Sequence, residues 1–327
     1  MRAEVVPFAR AVTRIEGTAR GSLDGTGAYV FAGSDAFLAT PCPTEANGWC
    51  VNPVEATTAE AAPDGEVAPL PDGLVAETAD GWRTWFARPT DEYAHGILGD
   101  AIEARSIAIE NGRVAGAADG ATRFASPLPP GDVFEDLTPR LADMNGDGTT
   151  ELVAIASDRR GGASLAVFGL RLTRSSFGLV PVARTPSIGT PNRWLNPAAI
   201  HDFDRDGVAD VALVETPHIG GEQQLWSGAS LLAGEPKMLA ARRGFSNHAI
   251  GSRALDLAEV VRADGTDMLV LPDAERDALV AVAYDGREWR ETGRVDLPGR
   301  VGANIASVGR DLIVALESGQ LVRITLE

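Results

Sequence analysis

The chain has 327 residues, 44% of them hydrophobic, with 36 Gly, 20 Pro and a formal net charge of −17. That apolar content supports a folded core, and the Gly and Pro density favours many short elements over a few long helices. The acidic balance argues against a nucleic-acid partner and against docking on anionic lipid, and it suits a protein that holds cations.

In chain order, the N-terminal MRAEVVPFARAVTRIEG has no apolar h-region, so no signal peptide is legible, and no stretch in the chain is apolar enough for a membrane span. ARGSLDGTGAYVFAG (19–33) is the first of a set of related segments. Cys42 and Cys50 follow, separated by a loop with an Asn47-Gly48 turn signal, and a disulfide between them is expected. The region 38–78 fits no repeat and reads as an insertion in the first blade: a stapled loop, then the Ala-, Glu- and Pro-rich VEATTAEAAPDGEVAPLPDG.

The repeat then recurs as HGILGDAIEARSIAIE (95–110), PRLADMNGDGTTELVAIAS (138–156), AIHDFDRDGVADVALVE (199–215), SRALDLAEVVRADGTDMLVLP (252–272) and GANIASVGRDLIVALES (302–318). Each leads into a β-branched apolar run, and in the later units two more strand-like segments follow. Four strands per unit, repeated every 40–60 residues or so, is the signature of a propeller blade. The expectation is an all-β, single-domain β-propeller spanning 1–327. Six blades run 15–90, 91–128, 129–188, 189–246, 247–298 and 299–327. The N-terminal strand EVVPFARAV completes the last blade and removes the open seam. A seventh blade would have to lie within 34–90.

Two of the repeats carry acidic loops. In the first, Asp143, Asn145, Asp147 and Glu151 occupy positions 1, 3, 5 and 9, with Gly148 at position 6 and Thr149 at position 7. The second has Asp202, Asp204, Asp206 and Asp210 at the same positions, with Gly207 at 6 and the Val208 carbonyl at 7. Alternate oxygens in a tight loop converge on one hard cation, and the glycine permits the sharp turn; the expected cofactor is calcium, two ions. An EF-hand would need a bidentate Glu at position 12 and a helix after it, but position 12 is Ala154 or Leu213, inside the runs LVAIA and VALVE. Each loop therefore joins two strands.

DMNGDGTTELVAI and DFDRDGVADVALV resemble the VCBS/FG-GAP repeats that also build the integrin α-subunit propeller. The resemblance covers about a third of the chain. It implies a propeller with calcium in the hairpin between the first and second strand of a blade. ADGTDMLVL (263–271) lacks acidic residues at the first positions, and no metal is expected there; SLDGTGAYV (22–30) and GDAIEARSI (99–107) are also degenerate copies.

If those loops define one face, strand entries and the loops between second and third strands define the other. That face is expected to gather His95, Arg159, Arg160, Asn196, His218, Asn247 and His248 near the central channel, where propeller loops converge on a rigid scaffold. The function that follows is a non-catalytic, calcium-stabilised binding module for a protein, peptide or carbohydrate, with no nucleic-acid partner. The alternative is a hydrolase or lyase built at the channel; no nucleophile elbow, HExxH or phosphate loop is present to support it. The disulfide and weak calcium loops point to the periplasm or the exterior, with cytoplasm as the alternative.

Overall fold

The computed structural model describes residues 1–17, 27–42, 49–54, 68–71, 73–78, 81–111, 123–125, 128–172 and 177–326. They form an all-β structure in which the only helix is the single turn α1, Gly228–Leu232. The strands β2 (Arg14–Gly17), β3 (Ala28–Ala32), β4 (Asp35–Pro41) and β5 (Trp49–Val54) make one antiparallel meander. The next sheet has nine strands. It joins β6 (Ala76–Glu77), β7 (Trp82–Thr90), β8 (Glu103–Asn111) and β9 (Arg123–Ala125) to β11 (Arg140–Ala142), β12 (Glu151–Asp158), β13 (Gly162–Leu172) and β14 (Phe177–Arg184). The short β10 (Val133–Phe134) bridges β8 and β12. Two further four-stranded meanders are β15–β18 (Leu195–His201, Asp210–Glu215, Glu222–Trp226, Met238–Arg243) and β19–β22 (Glu259–Ala263, Thr266–Pro272, Ala278–Tyr284, Trp289–Asp296).

The last sheet is made from both ends of the chain. β23 (Ala306–Val308), β24 (Asp311–Ala315) and β25 (Leu321–Thr325) take β1 (Arg2–Val6) as their fourth strand, in the register Arg2↔Thr325 to Val6↔Leu321.

The apolar runs explain which strands are central. ELVAIASD in β12 is buried along nearly its whole length, and every residue of DLIVA in β24 is buried. The outer β22, WRETGRVD, buries only its first residue. Continuous Val, Ile, Leu and Ala runs suit strands covered on both faces, whereas polar outer strands face water. The cores lie between neighbouring sheets. Val153, Ile155 and Leu165 pack with Val211 and Leu213, and Val214 and Leu225 pack with Leu269 and Leu271. Leu257, Val270 and Leu279 pack with Leu312 and Val314, while Val308 and Ile313 pack with Ile15 and Val30. Each of these four seams joins two neighbouring sheets.

Two expected boundaries move. β7 pairs with β8 from Trp82↔Asn111 to Thr90↔Glu103, so residue 90 ends one arm of a hairpin instead of a blade. Consequently 95–110 enters a third strand and is not a copy of the acidic hairpin. Within 38–78, residues 38–41 and 49–54 are ladder strands, and the Cys42–Cys50 disulfide, with Cα atoms 5.2 Å apart, closes the β4–β5 hairpin. The first part of the expected insertion is therefore regular sheet; residues 55–67 lie outside the described residues.

Candidate functional site

The two acidic loops connect first to second strands, as their sequence context demands: β11 to β12 and β15 to β16. Their internal hydrogen bonds match position by position. The N–H of position 5 is donated to the side-chain oxygens of positions 1 and 3: Asp147 to Asp143 and Asn145, both at 3.1 Å, and Asp206 to Asp202 and Asp204 at 3.1 and 3.0 Å. The position 6 glycine donates to position 1, Gly148 to Asp143 at 2.9 Å and Gly207 to Asp202 at 3.0 Å. Position 7 donates to position 5, Thr149 to Asp147 at 2.7 Å and Val208 to Asp206 at 2.8 Å. Position 9 accepts from position 2, Glu151 from Met144 at 2.9 Å and Asp210 from Phe203 at 3.1 Å.

In the second loop Asp202, Asp204 and Asp210 present oxygens that all lie within 4.8 Å of one another. Asp210 is fully buried and also accepts the N–H of Gly228 at 3.0 Å. Burial pushes its carboxyl up to about 6, with the Asp204 charge adding to the rise. Burial likewise raises Glu151 and Asp204. Crowded, partly desolvated carboxylates of this kind are stabilised by a cation, and an all-oxygen donor set fits Ca²⁺ better than a transition metal. Of the residues named from the sequence, Asp202, Asp204 and Asp210 would hold it; among the described residues Asp206 and the acidic residues of the first loop do not converge in the same way. The loops also touch, Ala209 N–H donating to the Met144 carbonyl at 2.7 Å. The degenerate copy in the next sheet is a two-residue turn, with Asp264 and Gly265 at φ +49° and +75°. Positive φ at both central residues is the type I′ hairpin signature, too short to wrap an ion.

On the opposite face, His218 Nε2 lies 2.8 Å from His248 Nδ1, and His248 Nε2 is 3.0 Å from the Ser252 carbonyl. The carbonyl can only accept, so the His248 proton sits on Nε2 and His218 donates to His248. Trp194 stacks parallel to His218 and meets His248 edge-on at 4.9 Å. Burial lowers His218 to about 4 and His248 to about 3, the Arg276 charge adding to the shift for His218 and the His218 charge for His248.

His95 does not join this pair. Its Nδ1 lies 2.5 Å from Glu135, whose other oxygen meets Ser157. Glu135 is buried and its carboxyl is raised by desolvation. Asn196 and Asn247 are fully buried and present nothing to solvent. Each donates its amide across the seam to the other's backbone carbonyl at 3.1 Å. Arg159 and Arg160 lie in the β12–β13 loop, where Arg159 donates to the Glu92 carbonyl and Asp158 accepts the Arg160 N–H. The sequence reading missed Glu135 and Trp194; the one local signal was the Glu135-Asp136 acidic pair beside an apolar strand.

No protein-family model matches the chain, and no curated protein does. Among solved structures the chain is similar to BamB from Moraxella catarrhalis, at 13% identity and a TM-score of 0.37 over 99% of this chain and 94% of that one. It is also similar to a hypothetical selenium-binding protein from Sulfolobus tokodaii, at 8% identity and a TM-score of 0.49 over 89% and 82%. A third likeness is to the fission yeast SREBP–SCAP binding domains, at 10% and 0.43 over 98% and 75%. These distant likenesses concern strand arrangement, and no ligand or activity is carried over from them.

Proposed function

We propose that this chain is a calcium-stabilised, non-catalytic binding propeller of VCBS/FG-GAP type, exported, with its ligand face opposite the calcium loops. The blades are β2–β5, β6–β9, β10–β14, β15–β18, β19–β22, and β23–β25 with β1, six in all. The observation that carries the calcium reading is the matching hydrogen-bond frame of the two loops, with Asp202, Asp204 and Asp210 converging in one of them. Each ion would pin a strand hairpin and offset loop charge.

The face bearing Arg159, Arg160, His95 and the His218–His248 pair is the ligand face in this reading. Ile219 and Ile250, beside the two histidines, are 62% and 70% exposed, and exposed apolar residues rimmed by polar ones suit protein or peptide contact. A thermal melt in millimolar calcium against excess chelator tests the calcium reading. Binding to ligand bound only by the native state raises stability by about 2.7 kcal/mol at a hundredfold excess over the dissociation constant. A rise in Tm that Asp147→Ala and Asp206→Ala reduce supports the reading; identical melts with and without chelator overturn it.

One feature favours the second reading, an enzyme at the channel: a buried carboxylate holds His95 through Nδ1, as in sites where a histidine acts as a base. Loss of hydrolysis in His95→Ala across a panel of ester and glycoside substrates would establish it.

A further inference from the structure

Beside the second acidic loop lies an open groove of about 400 Å³, lined by His201, Asp202, Arg205, Arg262, Gly265 and Asp267. It sits at the seam between the β15–β16 and β19–β20 hairpins. Arg205 occupies position 4 of the loop at φ +63°, where the first loop has Gly146 at +70°. A side chain in this left-handed region costs roughly 1–2 kcal/mol. The first loop adopts the same frame with glycine, so the loop itself does not require the arginine. The guanidinium crosses the seam and donates to the Gly265 carbonyl at 2.8 Å. It has no carboxylate partner among the described residues. From the other hairpin, Arg262 is held by both oxygens of Asp267, at 2.5 and 2.8 Å, with its side chain still 55% exposed. His201 approaches the same carboxylate at 3.4 Å.

We infer that this groove binds a small oxyanion, a sulfate or phosphate group, between Arg205 and Arg262. Guanidinium groups recognise tetrahedral oxyanions through paired N–H donors, and these two are held in place by acceptors on the groove wall. The inference rests on the calcium reading, because Asp202, the first acidic residue of the proposed calcium loop, lines the groove. With the loop empty its carboxylates repel an anion; a bound divalent cation offsets two of those charges and weakens the repulsion. Anion binding is therefore calcium-dependent and confined to the second loop.

Calorimetry tests this in two stages. Calcium is titrated first, alone; inorganic sulfate and glucose 6-sulfate are then titrated into calcium-saturated protein and into protein held in chelator. The expected result is binding in calcium only. Heat from both probes assigns the free oxyanion group, and heat from the ester alone assigns a sulfated sugar. Arg205→Gly copies Gly146 and relaxes the backbone, so it folds; it should weaken sulfate binding roughly tenfold or more while leaving calcium affinity intact. Calcium heat without sulfate or ester heat overturns the anion site and leaves the calcium reading standing. Equal binding in chelator, or undiminished binding by Arg205→Gly, also overturns it. Absence of calcium heat removes the calcium reading and the dependent site together.

Discussion

The carbonyl of Met144 accepts the backbone N–H of Ala209 at 2.7 Å, bonding the two acidic loops to each other across a blade seam. Both residues sit beside residues proposed to hold calcium: the Met144 N–H is donated to Glu151, and Ala209 lies between Val208 and Asp210. An ion ordering one loop, as proposed, would therefore order a peptide group of the other. Emptying the first loop with Asp147→Ala should weaken calcium at the second by about fivefold, the low end of coupling between linked sites. Two-site calorimetry of wild type and variant reads it; unchanged affinity at the second loop shows the bond to be structural only.

Acid should destabilise this protein through the His218–His248 pair. Their folded values are lowered, to about 4 and about 3, so below pH 6.5 the unfolded chain binds protons that the native pair refuses. Stability should fall as pH drops from about 6.5 toward 4, and no further through His218 below that. Histidine NMR should show both rings neutral at pH 5.5. A ring that titrates near 6.5 in the native protein would contradict the buried, bonded arrangement.

Glu259 should act in the opposite sense. Burial pushes its carboxyl up to about 8, with Ser307 Oγ donating to it at 3.2 Å. The native state holds this proton more tightly than the unfolded chain, so stability declines between about pH 4.5 and 8. Glu259→Gln keeps an acceptor for Ser307 and removes the ionisation. It should raise Tm at pH 9 and leave it nearly unchanged at pH 5; an equal shift at both values would point to packing.

Removing the disulfide should cost less than a long-range bridge would. Cys42 and Cys50 close a loop of nine residues at the end of the β4–β5 hairpin. The chain-entropy relation gives about 2.5 kcal/mol for a loop of this size. Cys42→Ser with Cys50→Ser should lower the unfolding free energy by up to that amount while the protein still folds, as denaturant titration would report.

The Asn196–Asn247 clamp offers a test of the seam. Each amide donates to backbone carbonyls of the neighbouring blade, and both side chains are fully buried. Either alanine variant leaves buried carbonyls unpaired and should cost about 1–3 kcal/mol. A double variant that loses less than the sum would show that the two residues act as one unit.

Local chemistry was legible in the sequence because it depends on near neighbours. Apolar β-branched runs such as LVAIA and VALV read as covered strands, and alternate oxygens with a glycine at position 6 read as a metal-wrapping loop. The nine-residue spacing of Cys42 and Cys50 read as a bridged turn; the strands, the tight hydrogen-bonded loops and the disulfide hairpin are found in the structure, and the ions remain the proposal. The tertiary structure alone decided what met across seams. Glu135 is 40 residues from the His95 it holds, His248 is 30 from His218, and Ala209 is 65 from Met144. Blade packing sets these distances, and no local periodicity encodes them. The same reason explains the misplaced boundary at residue 90. The degenerate 99–107 segment resembled an acidic hairpin in composition, but pairing Trp82–Thr90 with Glu103–Asn111 buries Trp85, Phe86, Ile107 and Ile109, and that apolar gain outweighs a weak local likeness.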